Sequence, residues 1–142
     1  AKAKDVLFIA AAGNDGTDND NSNPSYPAAF DNDNLIAVAA TDNADRLASF
    51  SNFGKKSTDL AAPGVNIYST VARNRYDKMS GTSMACPHVA GAAALIWSKN
   101  PTWNYRQVKD ALMRAVDPIP ALANKTVTGG RLNVLKALRS ME

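Results

Sequence analysis

Residues 6–12 form a continuous apolar run that closes on Gly13-Asn14. Residues 35–40 form a second, and residues 59–62 a shorter one that meets Pro63-Gly64. Apolar runs without polar alternation predict strands buried on both faces, as in a parallel sheet covered by helices. Residues 67–71 and 76–79, joined across Ala72-Arg73-Asn74-Arg75, predict a hairpin. From 89 to 97 every position is apolar or glycine, which predicts a buried helix with no solvent face. Pro87 is tolerable only in the opening turns of that helix, where most N–H groups lack intrahelical partners. Pro101-Thr102-Trp103 then breaks the chain, and Asn104 with Gln107 predicts a capping box. Val108, Ala111, Leu112, Ala115 and Val116 follow at amphipathic spacing, and Pro118 and Pro120 end that helix. Asn133 predicts the cap of a last short helix through Leu138. The pattern is that of one α/β domain over 1–142, with a mostly parallel sheet flanked by helices. It contains no internal repeat and no dividing linker.

Composition narrows the function classes. A chain of 142 residues at 45% hydrophobic can bury one core. Its net charge of +3 is small and its basic residues are scattered, which argues against nucleic acid. No stretch approaches the ~20 apolar residues of a membrane span. The single Cys86 excludes an internal disulfide and reads as a packed free thiol. The loop 14–34 carries Asp15, Asp18, Asp20, Asp31 and Asp33 without Lys or Arg. Its spacing fails the EF-hand pattern of a fixed glycine and a distant Glu, so it reads as a solvated acidic loop with no metal ligand.

The chemistry concentrates in Gly81-Thr82-Ser83-Met84-Ala85-Cys86-Pro87-His88-Val89-Ala90-Gly91. Gly81 allows a tight backbone approach, Thr82 can cap the helix start, and Ser83 sits at the positive helix end. A serine hydroxyl needs a base to become a nucleophile. His88, the one histidine, lies five residues on. That spacing turns it about 140° around the helix at roughly 100° per residue, away from Ser83. It reads as a histidine packed or capped within the helix. Lys78 is the nearest lysine, and nothing in its setting marks it as a desolvated base. Either Ser83 is not catalytic, or its base lies outside this sequence. The α/β-hydrolase order needs G-x-S-x-G and a later histidine, whereas Ala85 fills the last motif position. Nothing reads as the two β-barrels of the chymotrypsin order. The order Asp, His, Ser, with both partners ahead of the serine, is the one that remains. Asn14, fixed by Gly13 at a strand end, reads either as an oxyanion donor or as a turn residue. A ligand-binding α/β domain is disfavoured, since residues 6–21 lack a G-x-G-x-x-G or P-loop pattern.

Gly81-Thr82-Ser83-Met84-Ala85 with Pro87-His88-Val89-Ala90-Gly91 resembles the serine block of the subtilisin family, the subtilases. Ala11-Ala12-Gly13-Asn14 resembles the family's oxyanion-hole segment, and Tyr26-Pro27-Ala28 its following substrate-pocket loop. Residues 35–40, Ser49-Phe50-Ser51 and Ala61-Ala62-Pro63-Gly64 stand in family order and spacing. Gly130-Arg131-Leu132-Asn133-Val134 resembles the lead into the terminal helix. The resemblance covers essentially the whole chain. It implies the C-terminal half of a subtilisin-like serine endopeptidase domain acting on proteins or peptides, extracellular as the family is. Ser83 would be the nucleophile, and Asn14 with the Ser83 N–H would hold the oxyanion, supported by Thr82. Ala11, Ala12 and Gly13 would form one wall of the substrate pocket. Asp15 would sit at its rim and favour basic side chains. The catalytic Asp and His are expected in an N-terminal half outside this sequence, which would then be a partner. The chemistry would need no cofactor. Structural calcium is compatible with the complete enzyme, and Asp59 resembles a position near a weaker family site. The alternative is a non-catalytic relic or interaction module that keeps the partial fold.

Overall fold

The structure is a computed structural model that describes residues 2–139. Strands β1 (Phe8–Ala11), β2 (Leu35–Thr41) and β3 (Leu60–Pro63) arise from the three apolar runs. An antiparallel hairpin follows, β4 (Ile67–Val71) with β5 (Arg75–Met79). Next come helices α1 (Thr82–Lys99) and α2 (Tyr105–Arg114), strands β6 (Val116–Pro118) and β7 (Gly130–Leu132), and helix α3 (Val134–Arg139). The main sheet runs β1-β2-β3-β7-β6, parallel throughout except for the β6–β7 pair. Every residue of β2 is buried, as its apolar run from Leu35 to Ala40 between two neighbouring strands requires. Helix α1 packs Val89 and Ile96 onto it, and α2 adds Val108 and Leu112 to the same cluster. Each such side chain contributes about 1.5–3 kcal/mol by leaving water.

Four expectations are corrected. Helix α2 stops at Arg114, with Ala115 as its cap, because Val116 pairs with Leu132 in a strand. Pro118 therefore lies in edge strand β6, where a missing donor is tolerated, and is not the helix breaker. Gly130 lets the two strands meet, since a Cβ there would stand 2.5 Å from Val116 Cγ2. Helix α1 does have a solvent face. Only one side of it meets the sheet, which leaves Pro87, Ala90, Gly91, Ala94 and Leu95 exposed, Leu95 at 51%. Among the described residues β1 likewise has one neighbour, and Phe8 on it is 45% exposed.

The capping expectations for α2 and α3 hold. The Asn104 side chain accepts from the Arg106 and Gln107 N–H groups, and Gln107 accepts the Asn104 N–H. Asn133 accepts the N–H of Lys136 at the start of α3. Lys2 is tied to α2 through Asp33, which accepts from Lys2 (2.9 Å), Arg106 (2.9 Å) and the Tyr105 hydroxyl (3.0 Å). The Lys2 hydrogen bond foremost, then Arg106 and Tyr105, hold the Asp33 carboxyl well below the usual carboxylate range. A carboxylate depressed on folding stabilises the fold above the unfolded pKa of about 3.9 and loses that effect as pH falls below it. Thermal melts at pH 6 and pH 3 should therefore show a smaller acid-induced loss in Asp33→Asn than in the parent chain. Equal losses would remove Asp33 from the acid response.

Candidate active site

Two chain segments far apart in sequence meet at the N-terminal end of α1. The first leaves β1 at Ala11, and the Ala12 N–H bonds the Val38 carbonyl at 3.0 Å. Gly13 then turns at φ +112°, a conformation open to glycine, and presents Asn14. The second segment crosses Pro63-Gly64, where the Gly64 carbonyl accepts the Gly81 N–H at 2.8 Å. A Cβ on Gly64 would stand 2.6 Å from Ala40 Cβ and 2.8 Å from the Gly81 carbonyl oxygen, so only glycine permits this approach. Ser83 is the second residue of α1 and is exposed. Its backbone N–H has no acceptor within the helix, and the helix dipole places partial positive charge there.

Thr82 is not the helix cap. Gly81 holds that position, and no side chain of the cap residue closes the helix. The side chain that serves the first turn comes from Asn14, 68 positions away. Asn14 Oδ1 accepts the Thr82 N–H at 2.8 Å and the Thr82 hydroxyl at 2.9 Å. The same hydroxyl accepts the Gly13 N–H at 3.2 Å. Two donors on one amide oxygen fix which way the Asn14 side chain faces. Its Nδ2 group makes no hydrogen bond to the described residues and stays available as a donor, on an amide held by the residue before Ser83.

Around these three residues, Ala11 and Gly13 are half-buried, whereas Ala12 is fully buried with its N–H on Val38 and its carbonyl on Asn19, so of the three expected wall residues only Ala11 and Gly13 present surface to a ligand. Asp15 is exposed, and its N–H is held by Asn52 Oδ1 at 2.8 Å. His88 Nδ1 lies 2.8 Å from the Met84 carbonyl, committed to its own helix. Cys86 is half-buried, its Sγ 3.4 Å from the Ile9 carbonyl, and burial pushes its thiol pKa up, away from thiolate chemistry. Asp59 is no open cation site here. Its carboxylate accepts the Ala37 N–H at 2.7 Å and faces Lys109 Nζ at 3.7 Å. Burial raises its pKa, with Lys109 opposing. In the acidic loop Asp20 clamps backbone, accepting the N–H groups of Lys56 and Ser57.

Sequence reasoning missed two parts of this region. One is a cavity of about 340 Å³ between the hairpin and α1, open to Ser83 and lined by Ile67, Val71, Met79, Met84 and Pro87. Its signal was the period-two alternation that sends Ile67, Val71 and Met79 to one face of the hairpin. The other is the buried amide pair Asn19 and Asn52 beneath Gly13, for which the sequence carries no periodic signal.

This meeting of a Gly-Asn turn with a Gly-Thr-Ser helix start agrees with an independent comparison. The family model described as the subtilase family matches residues 1–136. The chain belongs to the subtilase family. A subtilisin of Bacillus pumilus is 48% identical over 112 residues, which are 79% of this chain and 40% of that protein. Subtilisin E of Bacillus subtilis is 47% identical over 112 residues, or 79% of this chain and 29% of that one. Among solved structures, one described for the assembly of subtilase cytotoxin SubAB superposes with a TM-score of 0.84 at 30% identity. It covers 94% of this chain and 48% of its own. The prenylagaramide maturation protease PagA gives 0.81 at 30% identity, covering 99% and 52%. This subtilase chain thus spans 40% or less of those two subtilisins and about half of those two structures.

Proposed function

We propose that this chain supplies the nucleophile and oxyanion hole of a serine endopeptidase whose catalytic His and Asp come from a segment outside it. The observation that carries the proposal is the double anchoring of Asn14 Oδ1 by Thr82, the residue before Ser83, which leaves Nδ2 unbonded among the described residues as the donor for an oxyanion. Ser83 Oγ would attack the carbonyl carbon of a peptide bond while the supplied imidazole takes its proton. The carbonyl oxygen, now negative, would accept from Asn14 Nδ2 and the Ser83 N–H. The site is favourable because its donors are fixed before charge develops. Collapse of the tetrahedral intermediate would expel the amine, which takes the proton back from the imidazolium. Water would then release the acyl group from Ser83 by the same steps in reverse. No cofactor enters the sequence. Asp15 at the pocket rim would favour basic side chains modestly, since an exposed carboxylate is screened by salt. We read the enzyme as extracellular, in keeping with its subtilisin-like character.

The supplied segment has a surface to meet. The small, apolar side of α1, with Pro87, Gly91 and Ala94, and the open edge at β1 with Phe8 are composed like interior and have no cover among the described residues. The test compares peptide turnover by the isolated chain with that of the chain completed by a segment bearing the Asp and His. The isolated chain is expected to be inert and the completed one active. A stably associated but inactive assembly would favour a non-catalytic module instead.

A further inference from the structure

The oxyanion segment is gripped from beneath as well as from α1. Asn52 and Asn19 are only 1% and 3% exposed, and apart from a bond to Ser25 their side chains bond each other and the chain on both sides of Asn14. Asn52 Oδ1 accepts the N–H groups of Asp15 (2.8 Å) and Thr17 (3.2 Å). Its backbone N–H bonds the Gly13 carbonyl at 2.9 Å. Its Nδ2 donates to Asn19 Oδ1 at 3.2 Å, and Asn19 Nδ2 donates to the Ala12 carbonyl at 2.8 Å. Asn19 Oδ1 also accepts the N–H of Ser25, the residue before Tyr26-Pro27-Ala28. A Cβ on Gly13 would stand 2.5 Å from Asn52 Nδ2, so the Asn52 amide is seated directly against the Gly13 α-carbon.

We infer that Asn52, through its buried pair with Asn19, is a positioning residue that sets where Asn14 stands relative to Ser83. The inference rests on the reading of Asn14 as the oxyanion donor. The backbone on each side of Asn14 has its polar groups tied, the Ala12 and Gly13 carbonyls and the Asp15 N–H to the asparagine pair. Thr82 fixes the Asn14 side chain but touches neither of those carbonyls. A carboxamide suits the task because it offers one acceptor to two N–H groups and a donor to a second amide. A buried pair satisfied in this way resists displacement, since every bond lost would leave an unpaired buried polar group. A catalytic donor moved by about 1 Å can cost ~10²-fold in rate.

The experiment is a double-mutant cycle in the completed peptidase, with kcat and KM measured for the parent, Asn52→Ala, Asn14→Ala and the double variant. Asn52→Ala is expected to lower kcat roughly 10- to 10²-fold, with KM within about 3-fold of the parent. If Asn52 acts through Asn14, that loss should shrink below about 2-fold in the Asn14→Ala background. Asn52→Asp keeps the acceptor for Asp15 and Thr17 but not the donor to Asn19, and should fall between. The same cycle run with Asn52→Asp decides the matter if Asn52→Ala does not fold. An equal kcat loss in both backgrounds, or an effect confined to KM, would overturn the positioning role while leaving Asn14 as the donor. No effect of Asn14→Ala in the parent background would instead overturn the reading of the site itself.

Discussion

Replacing Ser83 with alanine in the completed peptidase should remove nearly all peptide hydrolysis, a loss on the order of 10⁶-fold in kcat, as for the nucleophile of subtilisin. The fold should be unaffected. Ser83 is exposed at the helix mouth, and its hydroxyl makes no hydrogen bond to the described residues, so its removal strands no partner. The loss would come from deleting the one oxygen that can form the acyl intermediate. The measurement is turnover of a chromogenic peptide together with a thermal melt. Residual turnover close to the parent's, in a preparation free of other proteases, would take the nucleophile role away from Ser83.

Asn14→Ala should lower kcat by about 10²–10³-fold and barely change KM, because the donor acts on charge that exists only in the transition state. That range is the one seen when an oxyanion-hole asparagine of subtilisin is removed. The structure adds a smaller effect on stability. Asn14 Oδ1 serves the first turn of α1 through the Thr82 N–H and hydroxyl, and losing a helix cap costs about 0.5–2 kcal/mol. Steady-state kinetics and a denaturant melt separate the two. A change mainly in KM, or unfolding at assay temperature, would make Asn14 a structural turn residue.

The parts legible in the sequence were those with local physical causes. β2 and β3 followed from unbroken apolar runs, the hairpin from paired short runs, and α2 and α3 from Asn104, Gln107 and Asn133 as caps. β6 and β7 escaped because three residues carry no period, and what fixes them is their mutual pairing and the missing Cβ of Gly130. The exposed side of α1 escaped for a different reason. Its composition describes a helix buried all round, whereas its surroundings in this chain bury one face. At the site, Ser83 and Asn14 stood out by type and by resemblance. The bonds that join them did not, since Thr82 lies 68 positions from Asn14 and Asn52 lies 37 from Asp15. No local pattern encodes such contacts. Thr82 illustrates the gap: as a residue type it suits a helix cap, but the fold turns its hydroxyl toward Asn14 and Gly13 instead.

The central claim is that Ser83 becomes a nucleophile only when a base is supplied from outside this chain. It is tested most directly with a fluorophosphonate probe, in which Ser83 Oγ would bond to phosphorus as fluoride leaves. Labelling is read by intact mass, and the modified residue by peptide fragmentation. The isolated chain is expected to remain unlabelled, and the completed peptidase to carry one adduct, on Ser83. Stoichiometric labelling of the isolated chain, or an adduct at another residue such as Cys86, would contradict it.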